Sequence, residues 1–236
     1  GPLVFGPSFT YLQNCFSPEA FQSSRCCLRC CARSARACSS RVSARCRISD
    51  RTRSTAPGTP ALRKQYRHDR KLLTSVKDDF LSWSHILSLP EIQKANVIAS
   101  YHSYGDEPDT SNLNQEILKS GKKLLLPRML KDFNLEWVAW SGENKALKKS
   151  GNFFEPIGPA TSPDLIEVVI VPSLHVNRSG FRLGQGGGSY DRALSQMRAW
   201  RIGLIYSSEI TNEPLPIEAH DQQLDAVATP ELTVRF

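Results

Sequence analysis

From Ala61 to Phe236 the sequence has no cysteine, which excludes both a disulfide framework and a cysteine nucleophile from that stretch. No run of eighteen apolar residues occurs anywhere, so no segment reads as a membrane-spanning helix. Residues 1–60 lack lysine altogether and hold only two acids, Glu19 and Asp50. They do hold nine of the thirty Lys+Arg and all seven Cys of the chain. Twenty-one basic and twenty-one acidic side chains are left for residues 61–236, a balance of zero. The net charge of +7 and the pI near 9.1 therefore belong to the first sixty residues, and a nucleic-acid partner is not expected for the remainder.

The chain thus divides near Pro57-Gly58-Thr59-Pro60 into an Arg/Cys/Ser-rich segment, 1–60, and a single domain, 61–236. The first part has no helical or strand period and little apolar surface to offset its ordering entropy, so disorder is the expectation. Its Cys26-Cys-Leu-Arg-Cys-Cys31 cluster contains a C-x2-C, half of a zinc site, but a second pair at suitable spacing is missing. An organelle transit peptide shares this composition. So does out-of-frame translation of GC-rich DNA, which is the favoured reading of a segment that opens Gly-Pro.

Across 61–236, 40% overall hydrophobic content is distributed in short runs. Leu62, Tyr66, Leu73, Val76 and Phe80 recur at helical spacing, predicting one long helix to Leu89 with a break near Trp83-Ser84, its charges forming a solvated face. Strands are expected at 96–101, 123–127, 135–140, 164–171 and 201–206, with one or two more in 226–236. Helices are expected at 111–119 and about 189–200. Short apolar runs alternating with helices predict a three-layer α/β/α domain, Rossmann-like, with a mainly parallel sheet covered on both faces.

The chemistry concentrates in Gly180-Phe-Arg-Leu-Gly-Gln-Gly-Gly-Gly-Ser-Tyr-Asp-Arg192. Four glycines in five positions let backbone approach a bulky anion, and the following helix turns its first N–H groups toward it. Arg182 adds a fork for phosphate, and Asp191 is placed to hold Mg2+ against phosphate oxygens. The stretch is neither a Walker loop, since no G-K-[ST] follows, nor a dinucleotide fingerprint, which would follow the first strand.

Val171-Pro172 through Arg192 strongly resembles the signature of the 5-formyltetrahydrofolate cyclo-ligases. Ser103-Tyr-Gly-Asp-Glu-Pro-Asp-Thr110, Glu155-Pro156-Ile-Gly158, Glu218-Ala-His220-Asp221 and Asp225-Ala-Val-Ala-Thr229 extend the resemblance in the family's order. Ser189 and the Ala-Leu after Arg192 look most like actinobacterial members. The resemblance implies an ATP- and Mg2+-dependent ligase that closes 5-formyltetrahydrofolate to 5,10-methenyltetrahydrofolate. The formyl oxygen is a poor leaving group, so its phosphorylation by ATP precedes attack by N10; positioning and charge stabilisation are the protein's part, without a protein nucleophile.

By the same resemblance Arg63, Arg182, Leu183, Gly184, Gln185, Gly186, Gly187, Gly188, Ser189 and Tyr190 would contact ATP, with Arg182 on the transferring phosphoryl group. Glu107, His102, Gln185 and Ser189 would contact the reduced folate, Asp191 and Asp221 would ligate Mg2+, and His220 would be structural. The family's usual N-terminal Lys falls on Thr59 here, with Lys64 five residues away. His175 and Asn177 stand where Ala and Asp are common. A monomeric cytoplasmic enzyme with small-molecule substrates follows, organellar if 1–60 is a transit peptide. The alternatives are a nucleotide-binding paralogue without folate turnover, and nucleic-acid or zinc binding through 1–60.

Overall fold

The computed structural model describes residues 59–74 and 82–236, so every expectation placed on residues 1–58 or 75–81 lies outside it. In chain order the elements are α1 (Thr59–Thr74), α2 (Pro90–Lys94), β1 (Val97–Ala99), α3 (Ser111–Lys119), β2 (Lys123–Met129) and β3 (Leu135–Ala139). There follow β4 (Leu147–Ser150), β5 (Phe153–Pro156), β6 (Ala160–Thr161), β7 (Val168–Pro172), β8 (His175–Asn177) and β9 (Arg182–Leu183). The last are α4 (Ser189–Leu194), β10 (Trp200–Leu204), β11 (Ile210–Thr211), β12 (Ala226–Ala228) and β13 (Thr233–Arg235).

Eight strands form the central sheet in the order β13-β12-β10-β7-β1-β2-β3-β6. The five from β12 to β2 run parallel, β13 and β3 run antiparallel to them, and β6 pairs antiparallel with β3 at the edge. Alternation along the strands explains how two cores are filled at once. Val168 and Ile170 of β7 face the side covered by Trp83, Ile86, Ile92, Leu113 and Ile117. Val169 and Val171 face the other side, with Trp137, Val176, Leu194 and Met197. The three-layer expectation holds, but the second cover is only partly helical. It combines the six residues of α4 with a small sheet in the order β11-β8-β9.

Three expected elements need correction. The first helix starts at Thr59, and a 3-10 turn at Ser84–Ser88 occupies the far end of the predicted span, with α2 beginning just beyond it. Residues Pro163–Leu165 form a 3-10 turn, so the buried strand starts only at Val168. The helix after the glycine loop stops at Leu194, not Trp200: the Arg201 guanidinium donates to the carbonyls of Leu194 (2.8 Å) and Met197 (3.4 Å), capping it from seven residues downstream. Within the described residues no helix is long and apolar enough to cross a membrane.

Candidate functional site

The chain leaves β1 toward β2 on one side and returns to β7 on the other, so the sheet order reverses between β1 and β7. In open parallel sheets a crevice opens at such a point, beyond the C-terminal strand ends. A cavity of about 460 Å³ lies there. Tyr101, His102, Tyr104 and Glu107 line it from the segment after β1, and Ser173 and Leu174 from the residues after β7. The glycine loop, Arg182 to Arg192, contributes a continuous wall. Met129, Leu135, Phe153 and Phe154 form an apolar flank from the antiparallel side.

The loop needs its glycines. Gly186 has φ 110° and Gly188, the residue before α4, has φ 62°, both in the region that L side chains avoid. A Cβ on Gly186 would lie 3.5 Å from the Arg63 guanidinium, which already donates from Nε to the Gly184 carbonyl at 3.1 Å. Arg67, one turn on, donates to Gln185 Oε1 at 3.4 Å. Helix α1 is therefore laid along the loop, and Thr59 at its start also lines the cavity.

This overturns the reading of the α1 charges as a solvated face. Arg67 and its neighbours Lys64, His68, Asp69 and Lys71 are exposed, but Arg63 is half-buried and Arg70 is buried. Sequence pattern gave no warning of Arg70, although Arg63, Arg67 and Arg70 do share one helix face at spacings of four and three. The apolar flank was also missed, because among the described residues β4 and β5 pair only with each other, as a short hairpin.

Two carboxylates approach the loop from separate segments. Arg182, buried at its guanidinium, donates to Asp191 Oδ1 at 2.8 Å and to the Gln222 carbonyl at 2.7 Å. The Gln222 N–H returns to Asp191 Oδ1 at 3.0 Å, bringing the adjacent Asp221 to the same wall. Asp221 uses Oδ2 to accept the Glu218 N–H at 2.7 Å. His220 is 63% exposed and 3.8 Å from both Glu218 and Asp221, so it sits on the rim and not in a core. Among the described residues no cluster of three or more His, Cys, Asp or Glu side chains gathers as a metal cage. Two carboxylates beside a phosphate-sized loop still fit Mg2+, which takes few protein ligands and completes its shell with phosphate oxygens and water.

At the opposite end burial pushes the Glu107 carboxyl up to about 7, against the opposing pull of the Tyr104 N–H and the Arg70 charge. Burial also raises the Tyr190 hydroxyl, which has no hydrogen-bond partner among the described residues and lines the same cavity. His102 packs at 5.4 Å from Phe154, and Ser189 and Gln185 lie in the loop wall. All fourteen candidate ligand positions from Arg63 to Asp221 line this one cavity: Leu183, Gly184, Gly187 and the rest of the loop on one wall, Glu107 and His102 facing from the β1 side. 

The two positions flagged as unusual have local explanations. Asn177 Oδ1 accepts the N–H groups of Ser179 and Phe181, each at 3.0 Å, supplying the acceptor an acid would. His175 stacks on Tyr66 of α1 at 3.9 Å and 5°, and burial pushes its imidazole down to about 4.

A model of the 5-formyltetrahydrofolate cyclo-ligase family matches residues 57–230. A 5-formyltetrahydrofolate cyclo-ligase of Mycolicibacterium smegmatis is 32% identical over 144 residues, 57% of this chain and 73% of the relative. Its counterpart in Escherichia coli strain K12 is 28% identical over 156 residues, 62% of this chain and 85% of the relative. The solution structure of Aquifex aeolicus 5,10-methenyltetrahydrofolate synthetase superposes with a TM-score of 0.65 at 28% identity, covering 75% of this chain and 92% of that one.

Proposed function

The chain belongs to the 5-formyltetrahydrofolate cyclo-ligase family, and from that premise we propose that it converts 5-formyltetrahydrofolate to 5,10-methenyltetrahydrofolate with ATP and Mg2+. One observation carries the reading: the positive-φ glycine loop and the half-buried Glu107 face one cavity at the switch point of the sheet. The loop backbone and Arg182 suit a polyphosphate, and the aromatic and apolar flank suits the planar rings of a reduced folate.

The γ-phosphoryl group passes to the formyl oxygen and ADP is released. N10 then attacks the formyl carbon, the C–O bond breaks, and inorganic phosphate leaves with the former formyl oxygen. Loss of the N10 proton leaves the amidinium cation of the product. Arg182 would neutralise charge on the transferring group, and its bond to Asp191 fixes the direction of its fork. Glu107 would accept hydrogen bonds from the donor edge of the pterin. Asp191 and Asp221 would hold Mg2+, which supplies charge neutralisation for the phosphates when bound. The loop and Arg63 would orient the nucleotide, and the apolar flank would keep water from the activated formyl group. No protein nucleophile is required. We place this chemistry in the cytoplasm, in a monomer, or in an organelle if residues 1–60 direct it there.

The test is direct. Full-length protein given 5-formyltetrahydrofolate, ATP and Mg2+ should develop the near-ultraviolet absorbance of the methenyl product and release ADP and phosphate in equal amounts. ATP binding without that absorbance would point instead to a nucleotide-binding paralogue, the reading that Thr59 at the family's Lys position keeps in view.

A further inference from the structure

The most heavily bonded side chain at the cavity is one that the ring closure does not use. Arg70 is 3% exposed and forks onto Glu209: Nε donates to Oε1 and Nη2 to Oε2, each at 2.6 Å. Nη2 also donates to the carbonyls of Ser173 (2.6 Å) and Leu174 (3.2 Å), the two residues that follow β7 and line the cavity. Glu209 is tied down in turn, accepting the Tyr206 N–H at 2.9 Å, and the Tyr206 ring lies 5.6 Å from the Arg70 guanidinium. One buried charge pair thus joins three segments: α1, the end of β7 and the turn after β10.

Stability alone does not call for this arrangement. Desolvating two charges offsets much of their attraction, and an apolar pair of similar volume holds a helix to a core equally well. A fork differs from an apolar contact in fixing orientation, because four bonds in fixed directions define both the height and the roll of the helix. Seven residues earlier on α1, about 10 Å along its axis, Arg63 donates to Gly184 in the glycine loop. Between them Tyr66 stacks on His175.

We propose that the Arg70–Glu209 pair is the positioning element of the nucleotide site, setting the height and roll of α1 so that Arg63 bears on the glycine loop. The proposal rests on ATP occupying that loop. Arg70 acts through Arg63 and touches no reacting atom.

The decisive variant is the full-length double substitution Arg70→Met/Glu209→Met, which removes both charges and keeps the volume. Its thermal transition should stay close to that of the wild type, while ATP affinity, read by calorimetry, falls about 10- to 100-fold. The KM for 5-formyltetrahydrofolate should change less than about twofold on the same reasoning. Arg70→Lys, which keeps the charge but not the fork, should fail to restore ATP affinity. The losses from Arg63→Ala and from the double Met variant should overlap and not add in a double-mutant cycle. Unchanged ATP affinity in the double Met variant overturns the proposal, as does strict additivity with Arg63→Ala. A selective loss of folate affinity would place Arg70 on the substrate instead.

Hydrogen exchange of the α1 amides without ligand separates this idea from the functional reading. Faster exchange in the double Met variant supports the clamp even if the wild type binds no ATP. Unchanged exchange removes it even if turnover is normal. Should the double variant not fold, Glu209→Gln carries the same two readouts with the same expectations.

Discussion

Glu107 concentrates the conflict between folding and function in one carboxyl. Burial raises it to about 7 from an ordinary 4.5, so the folded protein holds its proton more tightly than the unfolded chain does. Its contribution therefore favours folding at pH 4.5 and below and is lost as pH rises through 7. Glu107→Gln should raise the Tm more at pH 8 than at pH 5, while weakening folate binding; an equal shift at both pH values would contradict the buried-acid account. His175 runs the other way. Its folded value near 4 lies below the ordinary 6.5, so its contribution is complete above pH 6.5 and is lost as pH falls toward 4. His175→Phe keeps a ring on Tyr66 and should flatten the fall in Tm between pH 6.5 and 4.5, and a variant with the wild-type slope would exclude His175 as a source. Glu107, Asp191 and Asp221 were legible because each stands in a short ordered motif. Arg70 was not, because its burial depends on Glu209, 139 residues away in the chain.

Elements follow the same division between local and distant causes. Strands β1, β2, β7 and β10 were readable because each is an apolar run that needs cover on both faces. The end of α4 was not, since a cap from Arg201 decides it. Nor were β8 and β9, whose hairpin turns at Gly180. That glycine has φ 76°, and a Cβ there would meet the Leu224 carbonyl and the Phe236 ring at 2.8 Å. Gly180→Ala should cost about 2 kcal/mol or more, from the left-handed backbone and the clash together. Gly184 has neither problem, with nothing among the described residues within 4 Å of an added Cβ. Gly184→Ala should leave urea unfolding within about 0.5 kcal/mol of wild type, and its effect, if the loop binds phosphate, should fall on ATP affinity alone. Comparable destabilisation of both variants would mean that the hairpin turn is not the strained point.

At the scale of the whole molecule, the cavity draws its walls from Thr59 to Asp221, across the ends of β1, β2 and β7 and the antiparallel flank beside β3 and the β4–β5 hairpin. A ligand there closes contacts between segments that are distant in sequence, so binding should be felt by the global unfolding equilibrium. At a concentration of one hundred times its Kd, Mg-ATP should add about 2.7 kcal/mol, or roughly 5–10 °C in Tm for a domain of this size. The added protection should also be uneven. ATP alone should slow amide exchange in α1 and the glycine loop, because Arg63 and Arg67 bridge those two elements. Added 5-formyltetrahydrofolate should extend protection to residues 101–107 and to the β4–β5 hairpin, where Glu107, His102, Phe153 and Phe154 line the same space. Salt should weaken the nucleotide step more than the folate step, since the described domain is close to neutral overall and its phosphate attraction is local to Arg63 and Arg182. A Tm shift without protection of α1 would show that the helix is not part of the nucleotide site, and the glycine loop would then have to hold ATP without it.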